Sequence, residues 1–584
     1  MKPLARTLAL LVTLTLALTG CTALAGGRAD HQARFDDLAR RQFVDMVTTD
    51  SLHLHWFLRH PADMGIDPPD TSLATADFPS DEVIERWYGR LAELRSIDRG
   101  LLTAAQQADY DVLTFQLEML EPSLRFHYHN TRLLGDEQTH VLVPLMLGEY
   151  SFDDLAAVDR YLVLLSQVGE VFDSLIRHQE SRAGLGLHLT DRQLDQVIEE
   201  CGGFLEMTPE NVLMASFAHR LGSLGLDDSL AQSYLARNED ILTGTVVPAY
   251  ERLVAGLDRL REAGLTTPDV VVTEESRAFY AYALTGLGLD RTPEELIAIA
   301  DEAVDTLARE WEEVRALVED NRDAVGRMAL FGDPMTGQEV YDFWASRAAA
   351  DFPAPPESIT VDIQPIPESL KDIFAAAYYL VPRIDDPRLN QIRYHPDQAT
   401  DDPDALGLVM AHEGVPGHLL QGAWLRSGPL SPYRQAFSIT AHTEGWAQYA
   451  ETYSYRYLDA HDLLIRLAEA NSRLQYMGLL RLDLGIHYEG WTAADVTGFV
   501  TARVPLWGDS AEFHERLVHF VTVSPLMAVP YAMGHYEMER LRDRYQSSLG
   551  PDYTDRAFHE DFLNLGPAPF HLIERWLDEA LLGA

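Results

Sequence analysis

The chain predicts a mainly α protein with one small β-sheet placed beside its most unusual helix. Three observations carry this. Helix-start signatures recur, each a hydroxyl cap with Gln or Glu three residues on: Thr103 with Gln106, Thr190 with Gln193, Thr292-Pro293 with Glu295, and Thr336 with Glu339. Between them run amphipathic stretches such as ELIAIADEAVDTLAREWEEVRALVED, whose apolar residues return every three or four positions. β-favouring runs are few: TPDVVVTEE near Val271, SITVDIQPIP near Val361 and LNQIRYHP near Ile392. The last two lie just upstream of the motif HEGVPGH, where a sheet would give that helix something rigid to pack on.

In chain order, the first element is a secretory signal. MKPLARTLALLVTLTLALTGC has a charged start at Lys2 and Arg6 and an apolar stretch from Thr7 to Thr19. That stretch is shorter than the roughly 18 to 20 residues needed to span a bilayer, so cleavage is expected. Leu18-Thr19-Gly20-Cys21 resembles the bacterial lipoprotein box, in which the chain is cut before the cysteine and lipid is attached to Cys21. Residues 1–20 are then the signal and 21–30 the lipidated tether, leaving a 564-residue extracytoplasmic protein. Thr22 in place of Asp favours the outer membrane, by resemblance to sorting in Gram-negative bacteria.

Composition bounds the rest. Forty-six basic against 91 acidic residues give a formal charge of −45, with Lys2 and Lys371 the only lysines. Such a surface repels nucleic acid and anionic lipid. After Cys21 only Cys201 remains, so packing rather than an internal disulfide holds the fold. A working division sets a helical region at 31–270 and a region carrying the chemistry at 271–584, with no clear linker between them, so that the two are expected to form one continuous domain. Oligomeric state cannot be read from these features.

The chemistry starts at His412. In a straight helix two histidines four apart share a face, but His412 and His418 are six apart, about 120° out of phase. Pro416 cannot donate to a preceding carbonyl, and Gly414 and Gly417 tolerate unusual backbone shapes, so a local bulge is expected to bring His418 back into phase. Glu413 follows His412 as the general base does in HExxH zinc peptidases. Glu444, in the helical stretch ITAHTEGWAQYAETY, supplies a carboxylate 26 residues past His418. Two neutral imidazoles and one carboxylate leave Zn²⁺ with net positive charge, suited to polarising a carbonyl.

HEGVPGH, followed by TEGWAQYAE, RLDLGIHYEGWT and FHEDFLNLGPAPFHLI, resembles a bacterial family of unknown function, often lipoproteins, that is grouped with the gluzincin metallopeptidases and is related to thimet-oligopeptidase-like and carboxypeptidase-Taq-like enzymes. The resemblance extends over residues 35–580. It implies a large helical metallopeptidase-like fold, one Zn²⁺ held by His412, His418 and Glu444, and Glu413 as general base in peptide-bond hydrolysis. The chain departs from the family at Leu419, where a second histidine is usual, and at VPYAMGHYEM. There His535 and Tyr536 are the candidate transition-state donors, with Tyr531 nearby. Arg481 and His487 are further substrate-binding candidates, and Gln448 and Glu451 lie on the Glu444 helical face as candidate acceptors for the histidine ligands. His395, His442 and His461 are read as structural or exposed, and Trp446 and Tyr449 as packing residues. The rivals to an enzyme are a lipoprotein that captures a peptide or metal without cleaving it, and a structural protein braced by its metal.

Overall fold

The structure is a computed structural model that describes residues 27–583 apart from 136–137, 206–210, 327, 332–333, 367–376 and 398–400. The signal sequence, Cys21 and residues 21–26 of the expected tether lie outside the described residues. Residues 27–30 of that tether already belong to the first helix, 27–47.

Helices dominate, as the sequence predicts. At Thr103, Thr292 and Thr336 the threonine accepts from the backbone N–H three residues on, and the Gln or Glu side chain there answers the threonine's own N–H. Thr190 and Gln193 exchange the same pair of bonds at the start of Asp191–Leu205. The long amphipathic run forms one helix, Pro293–Asp320, with Leu296, Ala300, Val304 and Leu307 on its buried face.

The β elements need one correction. No strand forms around Val271, which is 62% exposed; a run of valines with nothing to cover it remains loop. The adjacent strand is the two-residue β2, Thr266–Thr267, parallel to β1, Leu189–Thr190. The expected sheet does form. β3 (Thr360–Pro365) runs parallel to β5 (Leu389–Tyr394), and β4 (Ala377–Leu380) pairs antiparallel with the other side of β5, so β4 is an edge. Ile392 of β5 is fully buried in one cluster with Leu406, Met410 and Ala411 of the helix Pro403–Glu413, which makes the sheet that helix's floor.

Packing does not respect the division at residue 270. Phe35, Leu38, Phe43, Leu113 and Leu117 share one core with residues from Tyr280 onward, ending at Leu577. A second core, mainly of residues 133–257, is built around the helices Leu155–Gly184 and Val247–Glu262. The chain therefore enters the large core, leaves to build the second, and returns. Among the described residues no single helix is long and apolar enough to cross a membrane.

Candidate metal centre

The motif does not form a bulge in a continuous helix; the helix ends at Glu413 and a new one, His418–Ser427, begins five residues later. Pro416 brings no N–H to a ladder, and Val415–Pro416 is cis. Gly417 passes so close to the preceding turn that a Cβ would sit 1.8 Å from the His412 carbonyl oxygen. The indole N–H of Trp446 donates to the carbonyls of Pro416 and Gly417, at 3.1 and 3.2 Å. Trp446, expected only to pack, thus fixes the break in place.

The break turns the two imidazoles to a common point. Their rings stand perpendicular with centroids 4.7 Å apart. Glu444 Oε2, from the helix Thr440–Ser454, lies 3.4 Å from His412 Nε2 and 3.3 Å from His418 Nε2. Two ligands each about 2.1 Å from one ion at the tetrahedral angle stand roughly 3.4 Å apart, so these separations match a shared zinc. Glu444 Oε2 is buried and accepts no hydrogen bond, a vacancy in hydrogen bonding that a cation would fill.

Glu413 also comes near, its carboxylate falling within 4.8 Å of ligand atoms of both histidines. Its Oε2 accepts the Tyr379 backbone N–H of edge strand β4 at 2.9 Å, which holds it beside the two histidines that Glu444 also meets. Glu451, two turns beyond Glu444, lies 3.4 Å from His412 Nδ1 and takes the Tyr455 hydroxyl on its other oxygen at 2.7 Å. A ligating histidine whose far nitrogen meets a carboxylate is fixed in tautomer and orientation.

The electrostatics agree. Burial opposes charge on His412, but Glu444 and Glu451, with Glu413 behind them, push it up to about 10. Burial acts against the Glu444 carboxylate too, yet His418 and then His412 hold it well below the usual carboxylate range. Burial raises Glu413, against the pull of both histidines. A pocket that draws a proton onto a buried imidazole this firmly is arranged for positive charge.

Tyr531 completes the arrangement. Its ring stacks near His412 (5.9 Å, 20°) and on Tyr476 (5.4 Å, 7°), and burial followed by the charge of Glu444 raises its phenol, keeping it a hydrogen-bond donor. Its helix, Ala528–Leu549, comes this close because Gly445 and Gly534 face each other: a Cβ on Gly445 would lie 2.5 Å from Gly534 Cα.

The structure does not bring the remaining candidates to Glu413. His535 bonds Thr452 Oγ1 at 3.1 Å, and it and Tyr536 line a separate cavity of about 370 Å³, away from Glu413. One turn and a quarter along the helix from Tyr531 is enough to carry them past the cleft. Arg481 is buried in a pair with Asp301 (3.1 Å) and Glu489 (2.7 Å) under Trp491, and His487 Nε2 meets the Val521 carbonyl at 2.9 Å. Both hold the fold. Gln448 donates to Ser472 at 3.3 Å and does not reach either histidine. His442 stacks on Phe562, kept neutral because burial lowers it to about 3, and His461 caps a helix.

The site opens into a cavity of about 540 Å³, walled by Glu413, His418, Glu444 and Tyr531, by β4, and by Trp56 and Phe57 from the first part of the chain. Residues 64–577 match a family described as "Bacterial protein of unknown function (DUF885)". Two solved structures share the fold. One is a candidate lipoprotein from Colwellia psychrerythraea (18% identity, 94% of this chain and 99% of that one covered, TM-score 0.80). The other is a candidate lipoprotein of unknown function from Shewanella oneidensis (17% identity, 93% and 99% covered, TM-score 0.63). No curated protein matches the sequence.

Proposed function

This chain belongs to the bacterial DUF885 family of unknown function, and we propose that within it the protein is a lipid-anchored, extracytoplasmic zinc peptidase. The observation that supports this best is the pair of 3.3 and 3.4 Å separations between one Glu444 oxygen and the two imidazole nitrogens. The candidate-lipoprotein description of both structural relatives accords with lipid on Cys21.

His412, His418 and Glu444 would hold one Zn²⁺, with Glu451 orienting His412. Zinc bound there supplies Lewis-acid polarisation of a carbonyl and lowers the pKa of water to roughly 7. Glu413 takes a proton from the attacking water as the C–O bond forms and gives it to the leaving nitrogen as the C–N bond breaks. The Tyr531 hydroxyl, in the same cavity wall, would donate to the oxygen that gains charge. A site built only to brace helices has no use for an open cavity or for a second carboxyl, Glu413, beside the proposed ligands.

The test is purified mature protein assayed for metal and for peptide cleavage. One zinc per chain and turnover are expected. Glu413→Gln should keep the metal while cutting kcat by about 10² to 10⁴. Bound metal without turnover on a broad peptide mixture would replace hydrolysis with simple capture.

A further inference from the structure

The cavity carries a charge that hydrolysis alone does not call for. Among the described residues lining it, Arg426 is the one arginine or lysine. It sits at the far end of the helix that begins with His418, and is only 9% exposed. Its Nε donates to the Pro382 carbonyl at 2.8 Å and Nη1 to the Gln435 carbonyl, while Nη2 donates to no described residue. Among the described residues no carboxylate lies within ion-pair distance of it, in a chain that has acids to spare. The ionisable group that acts on it is Tyr379, whose phenol burial keeps protonated and which donates to Asn390. A guanidinium taken out of water without a counter-ion is costly unless an anion arrives to join it, and its planar fork suits a carboxylate.

Spacing relates this cation to the reactive end. His418 and Arg426 are eight residues apart on one helix, about 12 Å along the axis; both side chains lean toward the N-terminus, and the longer arginine reaches further that way than the histidine, which shortens the gap. An extended peptide advances about 3.3 to 3.5 Å per residue, so two to three residues fit between. We propose that Arg426 receives the free α-carboxylate of a peptide, so that the protein acts at C-terminal ends and releases fragments of that length. This rests on the peptidase reading above and adds the substrate class to it.

Three pools of random hexapeptides decide it: N-acetylated with a free carboxylate, N-acetylated with a C-terminal amide, and unblocked with a free carboxylate. Cleavage is followed with the zinc-loaded wild type, and binding with Glu413→Gln. The acetylated acid pool should bind and react about 10- to 100-fold better than the amide pool and yield two- or three-residue fragments. Arg426→Lys should shrink that preference mainly through KM. Equal handling of acid and amide overturns the carboxylate assignment and leaves hydrolysis standing. If neither acetylated pool is bound or cut the assignment also fails, and the unblocked pool then decides whether the peptidase reading fails with it. Because the acid–amide contrast is read on unmutated Arg426, a folding defect in the variant cannot mask the answer.

Discussion

Two cavities lie on either side of the stacked rings of Tyr476 and Tyr531, and both are lined by acids and at least one histidine. The front one holds Glu413, His418, Glu444 and Tyr531; the rear one holds Glu302, Glu310, Arg473, His535, Tyr536 and Glu539. Their electrostatics are opposite. In the rear, Glu539 pairs with Arg473 at 3.0 Å, Glu302 and Glu310 face solvent, and burial, aided by Arg473, lowers His535 to about 3. In the front no arginine among the described residues meets the carboxylates, and His412 is driven up instead. Residue types alone do not make a cation site. What separates the two is whether the acids are already neutralised.

Four substitutions would break or sharpen that contrast. The largest effect is expected at Glu444→Ala, which removes the oxygen shared by both histidines. Zinc content by elemental analysis should fall to background, and a full complement of metal would move the third ligand elsewhere. Tyr531→Phe keeps the stacked ring but deletes the donor, so kcat should drop by about 10² to 10³ with metal retained; an unchanged rate would take Tyr531 out of the reaction. Glu451→Gln leaves a weaker acceptor at His412 Nδ1, and competition with a chelator should read metal affinity about 10- to 100-fold lower. The smallest effect belongs to the rear: Tyr536→Phe should leave both zinc content and kcat/KM unchanged, and a loss there would mean that the two cavities work as one.

Much of this was legible before any coordinates. The capping pairs, the long helix 293–320 and strands β3 and β5 follow from local chemistry, and local chemistry is what a sequence states openly. That His412 and His418 would meet was legible too, because Pro and Gly between two histidines make little sense in a helix that only packs. What stayed hidden depends on tertiary approach. β4 is short and carries no alternation, being half-buried at every position. The choice of Tyr531 over His535 turns on where Ala528–Leu549 crosses Thr440–Ser454, which Gly445 and Gly534 decide together although 89 residues separate them. Nothing marked Arg426 out from 43 other arginines, because a missing partner is a property of the surroundings. Likewise the shared core of residues 35–117 and 280–577 is invisible to a reading that looks for boundaries along the chain.

That shared core has a consequence for how the molecule comes into being. Asp111 meets Arg575 and Trp576, and Arg59 reaches Asp385 and Asp386 through both its backbone N–H and its guanidinium. A chain delivered from its N-terminus exposes the apolar faces of its first helices long before their partners emerge. Contacts this distant in sequence slow folding and leave sticky intermediates. The helix Phe570–Gly583 supplies part of that core, so the apolar faces of residues 35–117 stay uncovered until nearly all of the intervening chain has emerged.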